Sequence, residues 1–222
     1  LGPEKYMPEM DVRHWGPGLA TGLAWTPVGG EVMFIEVVKM PGAGHFKMTG
    51  QMGDVMKESV SAAFSYLKSN AKKLGIDPKE WEKHDLHVHI PAGAIPKDGP
   101  SAGVAMLSAL ASVLLDEAVD KKVCMTGEVT LRGDVLPVGG IKEKVLGAKR
   151  AGIDKVILPR MNEKDLLEVP EATRKQMEFV FVTRMEEALS HTIPTMEGVK
   201  KKPARKGSAK SSAKTGKGRK VA

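Results

Sequence analysis

The sequence predicts an α+β fold in which several short strands and helices surround one core. Short apolar or β-branched runs separated by Gly and Pro open the chain, and long stretches with apolar residues at three- and four-residue spacing follow them. Towards the C-terminus strands alternate with helices, and some neighbouring strands read as hairpins. Hydrophobic residues make up 41% of the chain and charged residues 27%, which is typical of a globular protein with a packed core.

The first part of the chain is predicted to supply four strands and one long helix. Residues 51–74 carry apolar side chains at helical spacing, and Gly75 ends the helix. The sequence Asp77-Pro78-Lys79-Glu80 predicts a capping box that opens a short helix through Trp81. The four strands are expected at residues 21–26, 32–40, 46–49 and 85–90.

An almost entirely apolar helix is predicted at 104–115, directly after a rigid turn. Pro100 fits the first helical position and Gly99 the cap, so Ser101 falls one residue inside the helix. Its backbone N–H then has no partner within the helix and points to where an oxyanion could lie. Ser101 is therefore a candidate nucleophile, and the alternative is a structural serine at a helix start.

The second part is predicted to contain short strands and a helix that runs from Ile141 to about residue 151, where Gly152 stops it. On this helix Lys144 lies within the apolar arc formed by Ile141 and Val145. A lysine on a buried stripe is unusual, and the alternative is a snorkelling side chain whose ammonium group reaches water. The other elements are strands at 123–125, 128–132, 135–138, 155–158 and 178–183, and helices after 162, at 170–177 and at 185–192.

Residues 85–90 alternate, so His87 and His89 share the polar face of their strand. A Ser–His hydrolase that pairs one of them with Ser101 is an alternative reading, although histidine in this position is more often structural. No third and fourth metal ligand lies at familiar spacing, and the single Cys124 is far away in sequence, so no metal site is predicted.

The basic charge of the chain is concentrated in its last residues. Residues 200–222 contain ten Lys or Arg and no acidic residue, and since the whole chain carries +7, residues 1–199 carry −3. We predict a linker from an upstream module at 1–20, one domain at 21–195 and a disordered basic tail at 196–222. The tail is expected to have at most weak affinity for nucleic acid or polyphosphate, and a non-catalytic binding domain with such a tail is a further alternative.

Other classes of site and location receive no support from the sequence. No Gly cluster has the phosphate-loop or dinucleotide pattern, so no cofactor is expected in this chain. No apolar stretch of membrane-spanning length and no signal sequence is present, and one cysteine points to a reducing compartment. A cytoplasmic location without membrane contact is therefore expected.

Several motifs in order resemble the proteolytic domain of the ATP-dependent Lon protease family, over about residues 21–192. The serine-turn motif has the form typical of the soluble A-type, whereas the lysine-rich tail departs from the common family ending. By this resemblance Ser101 is the nucleophile, Lys144 the general base, Thr126 a threonine near the lysine, and Asp98 an aspartate of the serine loop. The motifs are Pro96-Lys97-Asp98-Gly99-Pro100-Ser101-Ala102-Gly103, Met125-Thr126-Gly127-Glu128, Leu131-Arg132-Gly133, Leu136-Pro137-Val138-Gly139-Gly140 and Ile141-Lys142-Glu143-Lys144.

The resemblance also implies the setting in which such a domain works. It implies a serine–lysine endopeptidase that degrades unfolded or damaged proteins, in a homo-hexameric ring driven by an upstream ATPase module. ATP and Mg are then expected only in that module, which is absent from this chain.

The chemistry of such a pair requires a lysine with a lowered pKa. An unperturbed lysine with a pKa of about 10.4 is neutral in only roughly one molecule in 2,500 at pH 7, so it is a poor base. Burial on the apolar face of its helix disfavours the ammonium form, and a drop of about three units costs on the order of 4 kcal/mol. A hydrogen bond with Thr126 could aim the Lys144 amine at Ser101, as an aspartate aims the histidine in a catalytic triad.

Deleting residues 200–222 is expected to leave the melting temperature of the domain unchanged, because the segment has no aromatic side chain and, apart from Val221, only alanine and proline as apolar residues to contribute to a core. Scanning calorimetry of the full and truncated chains measures this, and a large drop on truncation would show that the tail docks. Any affinity for nucleic acid should disappear with the tail and weaken steeply with salt.

Overall fold

The computed structural model of this chain describes residues 14–91 and 98–198. Seven of the strands in these ranges form one mixed sheet, and two form a separate hairpin, which confirms the predicted α+β class. The strands are β1 (Leu19–Thr26), β2 (Gly29–Pro41), β3 (Phe46–Thr49), β4 (His84–His89), β5 (Val123–Met125), β6 (Glu128–Val129), β7 (Val135–Leu136), β8 (Lys155–Pro159) and β9 (Glu178–Val182). The order in the large sheet is β3-β4-β2-β1-β5-β8-β9, and β6 pairs with β7.

The helices pack against both faces of the large sheet. They are α1 (Asp54–Asn70), α2 (Glu80–Lys83), α3 (Gly103–Leu115), α4 (Ile141–Arg150), α5 (Glu171–Arg174) and α6 (Met185–Thr192). Short 3₁₀ helices cover Ala71–Leu74, Pro100–Ala102, Arg160–Glu168 and Pro194–Gly198.

Strand β1 lies between α3 on one face and α4 on the other. A Cβ atom placed on Gly22 would lie 3.3 Å from Cβ of Ala105 in α3, so this face of the strand is in contact with that helix. Leu23, which points to the other face, belongs to the apolar cluster formed by Ile141 and Val145 of α4. Buried apolar side chains therefore form a cluster on each side of the sheet at this strand.

Helix α3 is buried on every face, as its apolar sequence predicts, since all residues from Gly103 to Leu114 are buried. The turn before it differs slightly from the prediction. Gly99 and Pro100 take the expected cap and first positions, but they open a 3₁₀ turn, and the α-helix begins only at Gly103.

Two helix starts were predicted wrongly. Helix α1 begins at Asp54 rather than residue 51, because Gln51 has a left-handed backbone with φ of 52° that cannot continue a helix. The predicted capping box does not form: the Asp77 carboxylate accepts a hydrogen bond from the Lys79 N–H at 3.0 Å, and α2 begins after it at Glu80.

Local polar contacts shorten other predicted elements. Thr130 Oγ1 accepts hydrogen bonds from the backbone N–H groups of Arg132 and Asp134, and this turn limits β6 and β7 to two residues each. The helix predicted at 170–177 ends at Arg174, and the segment around Asn162 is a 3₁₀ helix.

The ends of the predicted domain lie partly outside the described residues. Residues 1–13, 92–97, which include Pro96 and Lys97 of the serine motif, and 199–222 are not described. Leu19 and Ala20, assigned to the lead-in, already belong to β1, and Met196, assigned to the tail, is buried in the core. No helix in the described parts of the chain is long and apolar enough to cross a membrane.

Candidate functional site

A cavity of about 660 Å³ brings the two principal candidate residues together. Ser101 and Lys144 both line it, and so does Asp98. The rest of its wall comes from residues 23–26 of β1, the adjacent part of β2, Met56 of α1 and the segment before α4.

Ser101 lies in the middle of the 3₁₀ turn that leads into α3. Its carbonyl oxygen accepts hydrogen bonds from the Gly127 N–H at 2.8 Å and from Thr126 Oγ1 at 3.0 Å. The segment that follows β5 therefore fixes the backbone of the serine.

Lys144 lies in the first turn of α4 with only 2% of its surface exposed. Its Nζ donates a hydrogen bond to Thr126 Oγ1 at 3.1 Å, and none of the residues in the described ranges forms an ion pair with it. Burial without a compensating carboxylate lowers the pKa of Lys144 from 10.5 to about 8. The side chain is thus held inside the protein, which does not fit the alternative of a snorkelling lysine.

Thr126 connects the two layers that carry Ser101 and Lys144. It is fully buried directly after β5, and its N–H donates to the Ile157 carbonyl in β8 at 3.2 Å. Its hydroxyl accepts from Lys144 Nζ and donates to the Ser101 carbonyl, so both hydrogen-bonding roles of the oxygen are used. Thr126 is thus hydrogen-bonded to both candidate residues.

The candidate nucleophile and the candidate base are not directly hydrogen-bonded in the part of the chain that the structure describes. Among the residues that the structure describes, no hydrogen bond joins Ser101 Oγ to Lys144 Nζ. Such contacts are often long or misaligned without substrate and tighten in the complex, so the geometry is compatible with a serine–lysine pair.

Asp98 anchors the serine loop to the start of α1. Its Oδ1 accepts hydrogen bonds from the N–H groups of Met56 at 3.0 Å and Gly99 at 2.8 Å. A Cβ atom on Gly53 would lie 2.4 Å from the Asp98 Cγ, so any other residue there would require the carboxylate to shift. The carboxylate therefore caps α1 from a distant part of the chain, where the helix dipole favours negative charge.

The two histidines lie away from this cavity. Both accept or donate a hydrogen bond with Thr49 Oγ1 at 2.8 Å, and partial burial with Lys47 and His89 nearby lowers the pKa of His87. Strand β2 lies between β4, which carries the histidines, and β1. Glu36 of β2 pairs with His89 on one side and with Leu19 on the other. His89 is therefore level with Leu19, four residues before the part of β1 that lines the cavity. This placement favours the structural role and disfavours the Ser–His alternative.

Sequence reasoning missed the backbone contact that positions α4. A Cβ atom on Gly30 would lie 1.9 Å from the Glu143 carbonyl oxygen and 2.6 Å from the Lys144 nitrogen, and one on Gly147 would lie 2.5 Å from the Gly30 carbonyl oxygen. The helix thus rests directly on the main chain of β2. The signal was the glycine pair Gly29-Gly30 together with a glycine inside a helical pattern, which often marks close approach of two backbones.

The cavity is also lined by residues that were not candidates from the sequence, namely residues 23–26 of β1 and the acidic residues Glu31 and Glu143. Trp25 carries the only sequence signal among them, an aromatic residue at a strand end before Pro27, and its side chain is 58% exposed. Within residues 14–91 and 98–198 no group of three or more His, Cys, Asp or Glu side chains could hold a metal ion.

Comparison with known proteins shows one family. The model of the Lon protease (S16) C-terminal proteolytic domain matches residues 1–195. The chain is 59% identical over 204 residues to a Lon protease of Anaeromyxobacter dehalogenans, covering 92% of this chain and 24% of that protein. It is 58% identical over 195 residues to a Lon protease 2 of Myxococcus xanthus, covering 88% and 24%, and 55% identical over 189 residues to a Lon protease 2 of Thermus thermophilus, covering 85% and 24%. The chain therefore spans about a quarter of the length of these curated relatives.

The buried lysine predicts a measurable pH dependence of stability. Because the pKa of Lys144 is about 8 in the folded chain and 10.5 for an ordinary lysine, the unfolded chain binds more protons between these values. The free energy of unfolding should therefore rise with pH over this range. In Lys144→Met this contribution to the rise should be absent. Relative to that variant, the native chain should gain about 2 kcal/mol between about pH 7 and pH 10 in urea titrations.

The matched control is Lys142→Met, which removes an exposed lysine from the same helix. Its stability difference from the native chain should stay constant with pH. A constant difference for Lys144→Met as well would contradict the desolvated lysine.

Proposed function

This chain belongs to the family of Lon protease C-terminal proteolytic domains, and from that membership and the cavity we propose that it cleaves peptide bonds as a serine-type endopeptidase. The observation that carries the proposal is the buried Lys144 amine, hydrogen-bonded to Thr126 in the same cavity as Ser101. A binding domain has no evident use for an amine whose burial destabilises the fold.

In the proposed reaction, the neutral Lys144 amine takes the proton of the Ser101 hydroxyl while Oγ attacks the carbonyl carbon of the scissile bond. The tetrahedral oxyanion is stabilised by backbone N–H groups at the start of the serine helix. When the intermediate collapses, the C–N bond breaks and the Lys144 ammonium gives its proton to the leaving amine. Water then attacks the resulting ester with Lys144 again as the base, which regenerates the serine.

The lowered pKa makes the lysine effective as this base. With a pKa of about 8, roughly one molecule in ten carries the neutral amine at pH 7. Compared with the ordinary value of 10.5, the neutral fraction rises about 300-fold. Thr126 can accept a hydrogen bond from either form of the amine, so it can hold the side chain in place through the whole cycle.

Catalysis also requires Lys144 Nζ to approach Ser101 Oγ. Two consecutive hydrogen bonds through Thr126 already link the lysine side chain to the serine backbone. We infer that side-chain rotation within the cavity completes the contact when substrate binds, without movement of α3 or α4.

For the whole protein we propose the activity of an ATP-driven protease. The chain would be the proteolytic part, and an upstream ATPase module holding ATP and Mg would deliver unfolded or damaged proteins to it, in a homo-hexameric ring in the cytoplasm. The support is the name Lon protease of the relatives and the quarter of their length that the chain spans. The basic tail would contribute at most weak binding of nucleic acid or polyphosphate.

Ser101→Ala and Lys144→Arg are each expected to lower hydrolysis of a fluorogenic peptide by at least about 1,000-fold, because each removes one reacting group. Arginine keeps the charge but cannot lose its proton at any working pH. Labelling by a fluorophosphonate probe should be lost in Ser101→Ala, whereas a non-catalytic binding domain would not be labelled in any form.

The matched controls are His87→Ala and His89→Ala, which should retain turnover of the same order as the native chain. Circular dichroism of Lys144→Arg, with Lys144→Met as a second variant that is uncharged, separates loss of folding from loss of chemistry. Retained turnover in Lys144→Arg together with loss in a histidine variant would replace the serine–lysine pair with a serine–histidine pair.

The pH profile gives a separate test. Since the base must be deprotonated, kcat/KM should rise with pH and reach half of its plateau near a pH of about 8, the pKa of Lys144. A rise centred near about 6.5, the ordinary pKa of histidine, would assign the base to an imidazole instead.

A further inference from the structure

The side chain of Asn162 is hydrogen-bonded to the main chain of a distant residue. Asn162 lies in the 3₁₀ helix that follows β8, and only 3% of its surface is exposed. Its Oδ1 accepts a hydrogen bond from the Val138 N–H at 3.0 Å, and its Nδ2 donates to the Val138 carbonyl at 2.9 Å. The side-chain amide thus pairs with both main-chain polar groups of one residue, as a neighbouring strand would.

Asp165 fixes the orientation of this amide. Its Oδ2 accepts a further hydrogen bond from Asn162 Nδ2, so both hydrogens of the amide nitrogen are used. If the amide were turned over, its oxygen would face the Asp165 carboxylate and the Val138 carbonyl, which are both acceptors. The buried amide therefore has one favourable orientation and holds Val138 in one position.

Val138 precedes a part of the chain that depends on such an anchor. The next two residues, Gly139 and Gly140, belong to no strand, and both line the cavity. Glycine has the greatest backbone freedom, so the position of such a pair is set by what holds its two ends. At its far end the pair continues into α4, where the Gly140 carbonyl accepts the Lys144 N–H at 3.0 Å. A shift of Val138 would therefore pass directly to the first turn of the helix that carries Lys144.

The Asn162 contact adds a restraint that the contact between β2 and α4 does not supply. The close approach of Gly30 and Gly147 to the facing backbone limits how near α4 comes to the sheet. A packing contact of this kind has no preferred direction along the helix axis. Hydrogen bonds have a narrow range of length and angle, so the pair between Asn162 and Val138 also resists sliding of the chain that enters the helix.

We propose that Asn162 is a positioning residue for the proposed reaction: by holding the Val138 main chain it fixes the start of α4, and with it the reach of Lys144 towards Ser101. This inference rests on the proposed function. Asn162 does not itself line the cavity, so its effect on the reaction is exerted through α4. A displacement of about 1 Å is enough to lower a rate about 100-fold.

Replacing Asn162 with alanine tests the anchor by its effect on Lys144. In Asn162→Ala the start of α4 should loosen and water should reach the amine, so the pKa of Lys144 should rise from about 8 towards 10.5. An NMR titration of the 222-residue chain labelled with ¹³C at lysine Cε measures this, and the Lys144 signal is identified by its absence in Lys144→Met. We expect the signal to titrate at least about 0.5 pH units higher than in the native chain.

Turnover of a fluorogenic peptide gives a second readout on the same variant. At a pH of about 8, kcat should fall at least about tenfold, because the amine no longer reaches the serine hydroxyl in the right geometry. KM should change less than about threefold, since β1, β2 and α1 still form their parts of the wall. The midpoint of the rise of kcat/KM with pH should move upwards together with the NMR titration.

Asn162→Asp keeps the shape of the side chain and remains informative if the alanine variant does not fold. The protonated acid can accept from the Val138 N–H and donate to its carbonyl, as the amide does. The carboxylate instead places a negative oxygen against the Val138 carbonyl and Asp165, which breaks the pair. Turnover relative to the native chain should therefore fall at least about tenfold as the pH is raised from about 5 to about 8.

The matched controls are Asn70→Ala and Leu189→Ala. The side-chain amide of Asn70 also donates to a main-chain carbonyl, that of Tyr66 in α1, but does not touch the chain before α4. Leu189 is fully buried in α6, so its replacement lowers stability without removing the Val138 contact. Both variants should keep the native titration of Lys144 and the native turnover.

The failure of this inference differs from the failure of the proposed function. If the native chain is active and both Asn162 variants keep its kcat and its Lys144 titration, the positioning role is overturned and the serine–lysine pair stands. An equal loss of turnover in Asn162→Ala and Leu189→Ala, with the Lys144 titration unchanged, would make Asn162 a stabilising residue only and also overturn the role. If the native chain neither cleaves peptide nor is labelled at Ser101 by the fluorophosphonate, both proposals fall.

Discussion

The hydrogen bond from Lys144 Nζ to Thr126 Oγ1 is the contact on which the arrangement of the candidate site depends. A lysine that is 2% exposed loses nearly all of its hydration, and Thr126 returns only one of the three hydrogen bonds that its ammonium group can donate. The apolar residues beside it on α4, Ile141 and Val145, are fully packed, and their burial offsets this cost. The fold thus holds the Lys144 amine away from water and favours its neutral form.

The early end of β5 explains two features of the site at once. The strand stops at Met125, and the hydroxyl of the next residue, Thr126, is hydrogen-bonded to the Ser101 carbonyl and to Lys144 Nζ. Among the residues that the structure describes, the same stop leaves residues 23–26 of β1 without a strand neighbour on the side away from β2. One short strand therefore creates both the bridge between serine and lysine and the open edge beside them.

Local sequence patterns predicted most of the fold and selected Ser101 and Lys144, which line one cavity, as candidate residues. Apolar spacing gave α3, α4 and α6, because their burial follows directly from helical periodicity. The same periodicity placed Lys144 on the buried arc, and its burial now agrees. Helix starts and short elements were less predictable, since single polar contacts such as those of Asp77 and Thr130 decide them.

Contacts between distant parts of the chain could not be predicted from the sequence. Asp98 caps α1 from more than forty residues away, and no local pattern marks that pairing. The resemblance to the family gave Thr126 its place near the lysine, but only the structure shows that its hydroxyl also reaches the serine backbone.

The contact of Gly30 and Gly147 with the facing backbone affects how such a sequence can diverge. Since α4 rests on β2 through main-chain atoms, its height above the sheet does not depend on the size or rotamer of any side chain at that point. Apolar residues elsewhere in the two clusters can exchange during evolution, and their neighbours can repack around them, without shifting the Lys144 backbone. The apolar core can therefore change in sequence while the position of Lys144 stays the same, because the contact between α4 and β2 is made by two glycines.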